Sequence, residues 1–364
     1  MNFISEFRDK DTILALKDLI EKNAKKPINI MEICGGHTHS IMKYGLIDLL
    51  PKNINFIHGP GCPVCVMPRN RIDQAIKLAL MENTIFCTLG DLLRVPGSDI
   101  SLLQARAKGA DVRALYSPLD VLKIAKENKD KNIIFFAIGF ETTTPMSALL
   151  LEKIIQEDIK NVFFHINHIV VPAPIKAIMN DENVKIDAFL GPSHVSVITG
   201  WEIYQELVDS FKTPIAVSGF EPVDILESVL NIIHQKNNNE AKVYNQYKRA
   251  VSKEGNLKAQ ILIKKYFDVC DFEFRGLGVI KDGGLRLKDE FSFFDASKKF
   301  DCSVESKAES KACKCGDILR GLAKPYDCKV FAKACTPKNP IGSCMVSGEG
   351  ACAAYYKYSK VNNG

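Results

Sequence analysis

The sequence predicts an α/β protein, with two doubly wound parallel-sheet lobes followed by a cysteine-rich, mainly helical and loop unit. Three observations carry this expectation. Short apolar runs alternate with amphipathic segments from about residue 28 to 235, the most unusual sequences sit directly after those runs, and cysteines crowd the chain from Cys302 onward.

The runs Ile28–Ile33, Ile54–Ile57, Thr84–Cys87, Val112–Leu115 and Ile133–Ile138 are apolar throughout or nearly so, as strands buried on both faces of a parallel sheet are. Val162–Ile166, Ala188–Leu190 and Ile215–Val217 extend the series. Between them Arg71–Met81, Leu119–Asn128 and Met146–Gln156 have helical periodicity, and strands alternating with helices predict doubly wound architecture. Gly139-Phe140-Glu141 and Gly219-Phe220-Glu221 each follow an apolar strand, a short echo between two regions. The expected units are therefore 1–130 and 131–225 as two lobes and 226–364 as the third, with the first 20 or so residues packed on the tail. The polar stretch Gln235–Glu240 reads as a loop or linker, and Val243–Tyr266 as helix.

Composition narrows the function. With 46% hydrophobic and 25% charged residues, the chain has the profile of a soluble globular protein. Its net charge of +5 is spread along the sequence, without the basic stripe of a nucleic-acid binder. The charged start, with Glu6, Arg8, Asp9 and Lys10, lacks the apolar core of a signal peptide, and no apolar run is long enough to span a bilayer. The expectation is a cytoplasmic protein with no nucleic-acid or membrane partner. In that compartment thiols stay reduced, so clustered cysteines point to metal binding or redox chemistry rather than structural disulfides.

The unusual sequences follow predicted strands, where ligands bind in open parallel sheets. After the first comes Cys34-Gly35-Gly36-His37-Thr38-His39. A thiol beside imidazoles, preceding glycines that let backbone approach a ligand, makes a soft-metal or nucleophile site, against the plainer reading of a buried cysteine in a glycine turn. After the second strand Cys62-Pro63-Val64-Cys65 reads as redox-capable thiols or ligands at a helix start. Glu141-Thr142-Thr143-Thr144 suits a phosphate, a metal or a protonated intermediate, or equally an ordinary helix cap. No GxxxxGK[ST] or GxGxxG pattern supports nucleotide binding. His165, His168 and His194 read as satisfied polar residues at strand ends.

In the tail, Cys313, Cys328, Cys335 and Cys352 are irregularly spaced in loop-rich chain, which suits a [4Fe–4S] cube or a structural zinc ion and fits the cube better, with a disulfide scaffold as the plainer reading and the choice of four among seven cysteines left open by spacing alone. Cys315 and Cys344 are left over as a redox pair beside it. The third unit is thus expected to be an iron–sulfur domain.

Together CGGHTH (Cys34–His39), GPGCPVCV (Gly59–Val66), GDLLRVPGS (Gly90–Ser98), GFETTTP (Gly139–Pro145) and PIGSCMVSGEGACAAYY (Pro340–Tyr356) resemble the HypD family of NiFe hydrogenase maturation proteins. One departure is Ser347-Gly348-Glu349, where the family more often has two serines before the glutamate. The resemblance implies a scaffold on which iron receives two cyanides and one carbon monoxide, working with a small HypC-type chaperone and a HypE-type cyanide donor. It implies an assembly scaffold with a redox role rather than a conventional turnover enzyme. It carries iron binding to Cys34, with Cys62 and Cys65 as the second motif and His37 and Glu141 in support near the iron. By the same carry-over Cys313, Cys328, Cys335 and Cys352 hold a [4Fe–4S] cluster, and Cys315 and Cys344 match the family's redox pair. The competing expectations are an iron–sulfur thiol/disulfide oxidoreductase acting on a protein partner and a zinc-stabilised binding protein.

Overall fold

A computed structural model describes residues 5–359. Its strands are β1 (Ile28–Glu32), β2 (Ile54–His58), β3 (Thr84–Leu89), β4 (Asp111–Leu115), β5 (Asn132–Gly139), β6 (Val162–His168), β7 (Ala188–Pro192), β8 (Ile215–Ser218), β9 (Val243–Asn245), β10 (Phe267–Phe274) and β11 (Gly278–Leu287). Two all-parallel sheets result, in the orders β2-β1-β7-β8-β9 and β4-β3-β5-β6. Among the described residues no helix is long and apolar enough to cross a membrane.

The strands do not assort by the sequential boundaries expected at residues 130 and 225. The chain leaves the first sheet after β2, builds the whole second sheet with β3–β6, and returns for β7–β9. In each sheet the order reverses once, between β1 and β7 in the first and between β3 and β5 in the second. These are the positions where neighbouring connections diverge and leave a crevice beyond the carboxyl ends of the strands.

Period-two alternation explains how the layers join. In the second sheet Phe86, Ile134 and Phe136 face a central core, while Ile85, Cys87, Ile133, Phe135 and Ala137 face an outer one with the helix Thr144–Gln156. In the first, Met31, Phe189, Ile215 and Val217 face the same central core, while Ile30, Leu190 and Ala216 face outward. One contiguous core therefore lies between the inner faces of both sheets. The tail joins it through Ile318, Leu319, Phe331, Met345 and Tyr355.

Three local expectations change. The helix Lys10–Asn23, expected on the tail, packs instead on the helix Pro222–Asn237, with Ile20 and Ala24 among Leu226, Val229 and Ile233. That second helix runs into the stretch read as linker. Val243–Tyr266 is not one helix: Val243–Asn245 pairs with β8, and helix begins only at Leu257, where the Asn256 side chain accepts from the Ala259 N–H. The antiparallel pair β10–β11 follows, turning through Gly276 and Gly278, both at positive φ.

Candidate metal-assembly cleft

A cavity of about 730 Å³ opens beyond the carboxyl ends of β1, β3 and β5. Its walls include Gly36, His39, Asp91, Thr143, Phe220 and Glu349, so both sheets and the tail contribute. The four motif loops that sequence placed after separate strands do converge.

Cys34 ends the extended run after β1 and precedes the helix Gly35–Lys43. Close approach explains the surrounding glycines. A Cβ on Gly35 would run into Glu349, one on Gly36 would stand 2.6 Å from the Phe220 ring, and one on Gly61 would strike the Cys34 backbone. Burial, then the Glu349 carboxylate, pushes the Cys34 thiol up to about 12. Such a sulfur keeps its proton until a cation replaces it.

His37 is fully buried, and its Nε2–H donates to the carbonyls of Ser218 and Gly219 at 3.0 and 3.1 Å. Burial pulls it down to about 4, so the ring is neutral and Nδ1 carries a lone pair with no partner. One oxygen of Glu141 accepts from the Val171 N–H at 3.0 Å, and the other is buried without a partner. Burial pushes this carboxyl up to about 7. The hydroxyls of Ser193, after β7, and Thr88, in β3, are also buried and unpartnered. Buried polar atoms are normally satisfied, so His37 and Glu141, which follow β1 and β5 beside the reversal points, each keep an atom free to meet a polar group. The Tyr204 phenol lies within electrostatic reach of both Glu141 and Cys34.

Cys62 and Cys65 are joined as a disulfide across the short helix Pro63–Val66. Pro63 and Val64, between them, line the cavity. The sequence expectation is redox-capable thiols or ligands; as iron ligands they would act only after reduction.

The tail gathers six thiols. Cys315 is in hydrogen-bond reach of Cys344, and Cys344 of Cys352. Cys313 feels Cys315, Cys328 and Cys335, and Cys352 feels Cys313, Cys315 and Cys335. The crowding depends on Gly342, whose added Cβ would lie 2.8 Å from the Cys313 sulfur. The Ile341 N–H donates to the Cys335 sulfur at 3.3 Å. Burial, then neighbouring sulfur, pushes Cys313 up to about 12. Cys302 stands apart, its thiol 3.8 Å from the Ala296 carbonyl. Among the described residues no three His, Cys, Asp or Glu side chains are arranged to hold a metal ion.

Other histidines divide. His165, between Gln74 and Asn167, and His168, against Ser147 and the Gly139 carbonyl, are satisfied core residues, as expected. His194 is not of that kind: no hydrogen bond holds it, and its ring lies 4.3 Å from Phe220, on which His37 also packs at 4.8 Å. Its place after β7, at the reversal point, was the available signal. Nothing local in the sequence gives Glu349 a role, because only the fold carries the tail to Cys34.

A profile described as "Hydrogenase formation hypA family", under the name HypD, matches residues 10–359. The chain belongs to the HypD family. It is 47% identical to the hydrogenase maturation factor HypD of Azotobacter vinelandii, over 99% of this chain and 97% of the relative. It is 45% identical to the factor of the same name from Rhodobacter capsulatus, over 98% of each. With that from Escherichia coli K12 the identity is 43%, again over 98% of each. The matched span contains every HypD-like motif read from the sequence.

Proposed function

We propose that this HypD-family protein is a maturation factor for NiFe hydrogenases, the scaffold on which iron acquires two cyanides and one carbon monoxide. A HypC-type chaperone and a HypE-type cyanide donor are its partners in this reading. The observation that carries it is the crevice between two parallel sheets, walled by Glu349, whose carboxylate acts on the Cys34 thiol, and by the loops around Gly36 and Gly139 whose buried neighbours His37 and Glu141 keep an unpartnered Nδ1 and Oε2. Iron is the cargo. Cys34 is its anchoring thiolate, a soft donor suited to low-spin iron with strong-field ligands. Glu349 favours a cation beside that sulfur, and Glu141, held near neutral pH, can keep or release a proton. His37, neutral and fixed by two carbonyls, offers a nitrogen lone pair.

The tail fits a resident [4Fe–4S] cluster. Burial and neighbouring sulfur keep Cys313 protonated, and against the lowering contact of Cys344 burial still raises Cys352, so these two need a polycationic centre to become thiolates, and a four-iron cube spreads its donors over more space than a single ion does. Cys313, Cys328, Cys335 and Cys352 would hold it, leaving Cys315 and Cys344 as a dithiol beside it. When bound, such a cluster supplies one-electron transfers. The cleft disulfide Cys62–Cys65 is the nearby group able to accept electrons.

That disulfide also favours a second reading, an iron–sulfur thiol oxidoreductase acting on a partner protein. Infrared spectroscopy of anaerobic protein with its copurifying partner separates the two. Cyanide and carbonyl stretching bands in wild type, absent in Cys34→Ala, support the scaffold. Iron and sulfide without such bands in wild type would overturn it in favour of the oxidoreductase.

A further inference from the structure

Glu32 has no exposed surface and no lysine or arginine partner, yet both its oxygens accept hydrogen bonds. Its Oε2 accepts from the Cys34 N–H at 3.2 Å. Its Oε1 accepts from the Thr38 hydroxyl and from the His58 Nδ1–H, the latter at 2.6 Å. The other nitrogen of His58 accepts from the Tyr355 hydroxyl at 2.9 Å, with the phenol edge-on to the imidazole. His58 and Tyr355 are themselves buried. Tyr355 belongs to the helix Ala351–Tyr358, one turn beyond Cys352. An unbroken line of hydrogen bonds thus runs from the helix that carries Cys352, across the ends of β2 and β1, to the main chain of Cys34.

We propose that Tyr355 is a positioning residue for Cys34: through His58 and Glu32 it fixes the cleft cysteine according to the placement of the tail helix. A buried carboxylate–imidazole–phenol line is costly to desolvate, and apolar side chains of the same volume would pack as firmly. What the polar line adds is one defined geometry. It is anchored where Cys34 must be held, since Cys34 is the N-cap residue of the helix Gly35–Lys43 and Thr38 lies at the start of that helix. Filling the tail with its cluster then also sets the cleft, so the tail must be in place before Cys34 is ready for cargo. This order of events rests on the scaffold reading above.

The test uses the full-length chain, anaerobic and without iron cargo. Cys34 alkylation by iodoacetamide is followed by peptide mass spectrometry, with buried Cys87 as internal control. Tyr355→Phe removes only the hydroxyl, and loss of one such buried link is expected to raise the Cys34 rate by about fivefold. Tyr326→Phe is the matched control, because its ring packs on Tyr355 at 5.2 Å while its hydroxyl lies outside the line. A rise at Cys34 in Tyr355→Phe alone supports the proposal. An unchanged Cys34 rate overturns it, and so does an equal rise in Tyr326→Phe or at Cys87, which would mean general loosening. The measurement needs no iron, so missing infrared bands in wild type would remove the scaffold reading while leaving this result intact.

Discussion

The Ser343 hydroxyl donates to the main-chain carbonyl of Cys65 at 2.9 Å and stands 4.0 Å from the sulfur of Cys315. One fully buried side chain therefore joins the turn preceding Cys344 to the helix that closes the Cys62–Cys65 disulfide.

Replacing Ser343 with Ala leaves that carbonyl without its buried donor, so urea unfolding should show a loss of roughly 1–2 kcal/mol. Reduction of Cys62–Cys65, when electrons are supplied to the tail, should also slow, whereas Ser343→Thr keeps the hydroxyl and should preserve the rate. Thiol trapping after timed anaerobic reduction reads this directly. Equal rates in all three proteins would show that the contact does not couple the two groups.

Gly35→Ala forces a methyl group into Glu349. Overpacking of this kind costs about 1–3 kcal/mol, and here it pushes the Ser347–Glu349 turn off the cleft. The expected result is a lower unfolding midpoint together with poor iron retention. Gly348→Ala meets open space and should behave as wild type, so similar losses from both variants would discredit the steric argument.

The tail thiols should divide sharply. Serine at Cys313, Cys328, Cys335 or Cys352 is expected to abolish the visible iron–sulfur absorbance and bound sulfide of anaerobically purified protein. Cys302→Ser should leave both unchanged, because that thiol lies away from the others. Zinc without sulfide in the wild type would point instead to a structural zinc site.

Acid should weaken the fold through its buried imidazoles. Burial holds His168 at about 4 against an ordinary value of 6.5. Between those values the unfolded chain binds a proton that the folded chain refuses, so stability is full above 6.5 and falls as pH drops through the window. For His168 this amounts to on the order of 3 kcal/mol. His168→Gln should flatten the stability–pH slope between pH 6.5 and 4, measured by denaturant titration. Identical slopes would mean that the ring is already charged in the folded protein.

Strand positions were legible because burial on both faces demands continuous apolar runs, and Ile133–Ile138 could be little else. Sheet membership was not. β1 pairs equally well by pattern with any other parallel strand, and nothing local states that Ala188 rather than Thr84 will lie beside it. The β10–β11 pair escaped because its polar, charged alternation, as in Asp268-Val269-Cys270-Asp271, resembles exposed helix or loop as much as strand. At the cleft, Cys34 and Glu141 announced themselves through glycine-flanked motifs. Glu32 and His58 did not, since a lone carboxylate ending one apolar run and a lone imidazole ending another become partners only when β1 and β2 align in register, Glu32 opposite His58.

The chain passes between the two sheets after β2, again after β6, and once more after β9, where β11 bridges back at Gly284 to Ile169. A bilobal protein with one connecting segment can swing open like a book. Here the chain crosses at several separate places, and the two sheets share one contiguous core. The cavity between them is entered over a rim that includes the short Ser347–Glu349 turn, so the tail, and not either sheet alone, sets the width of its mouth.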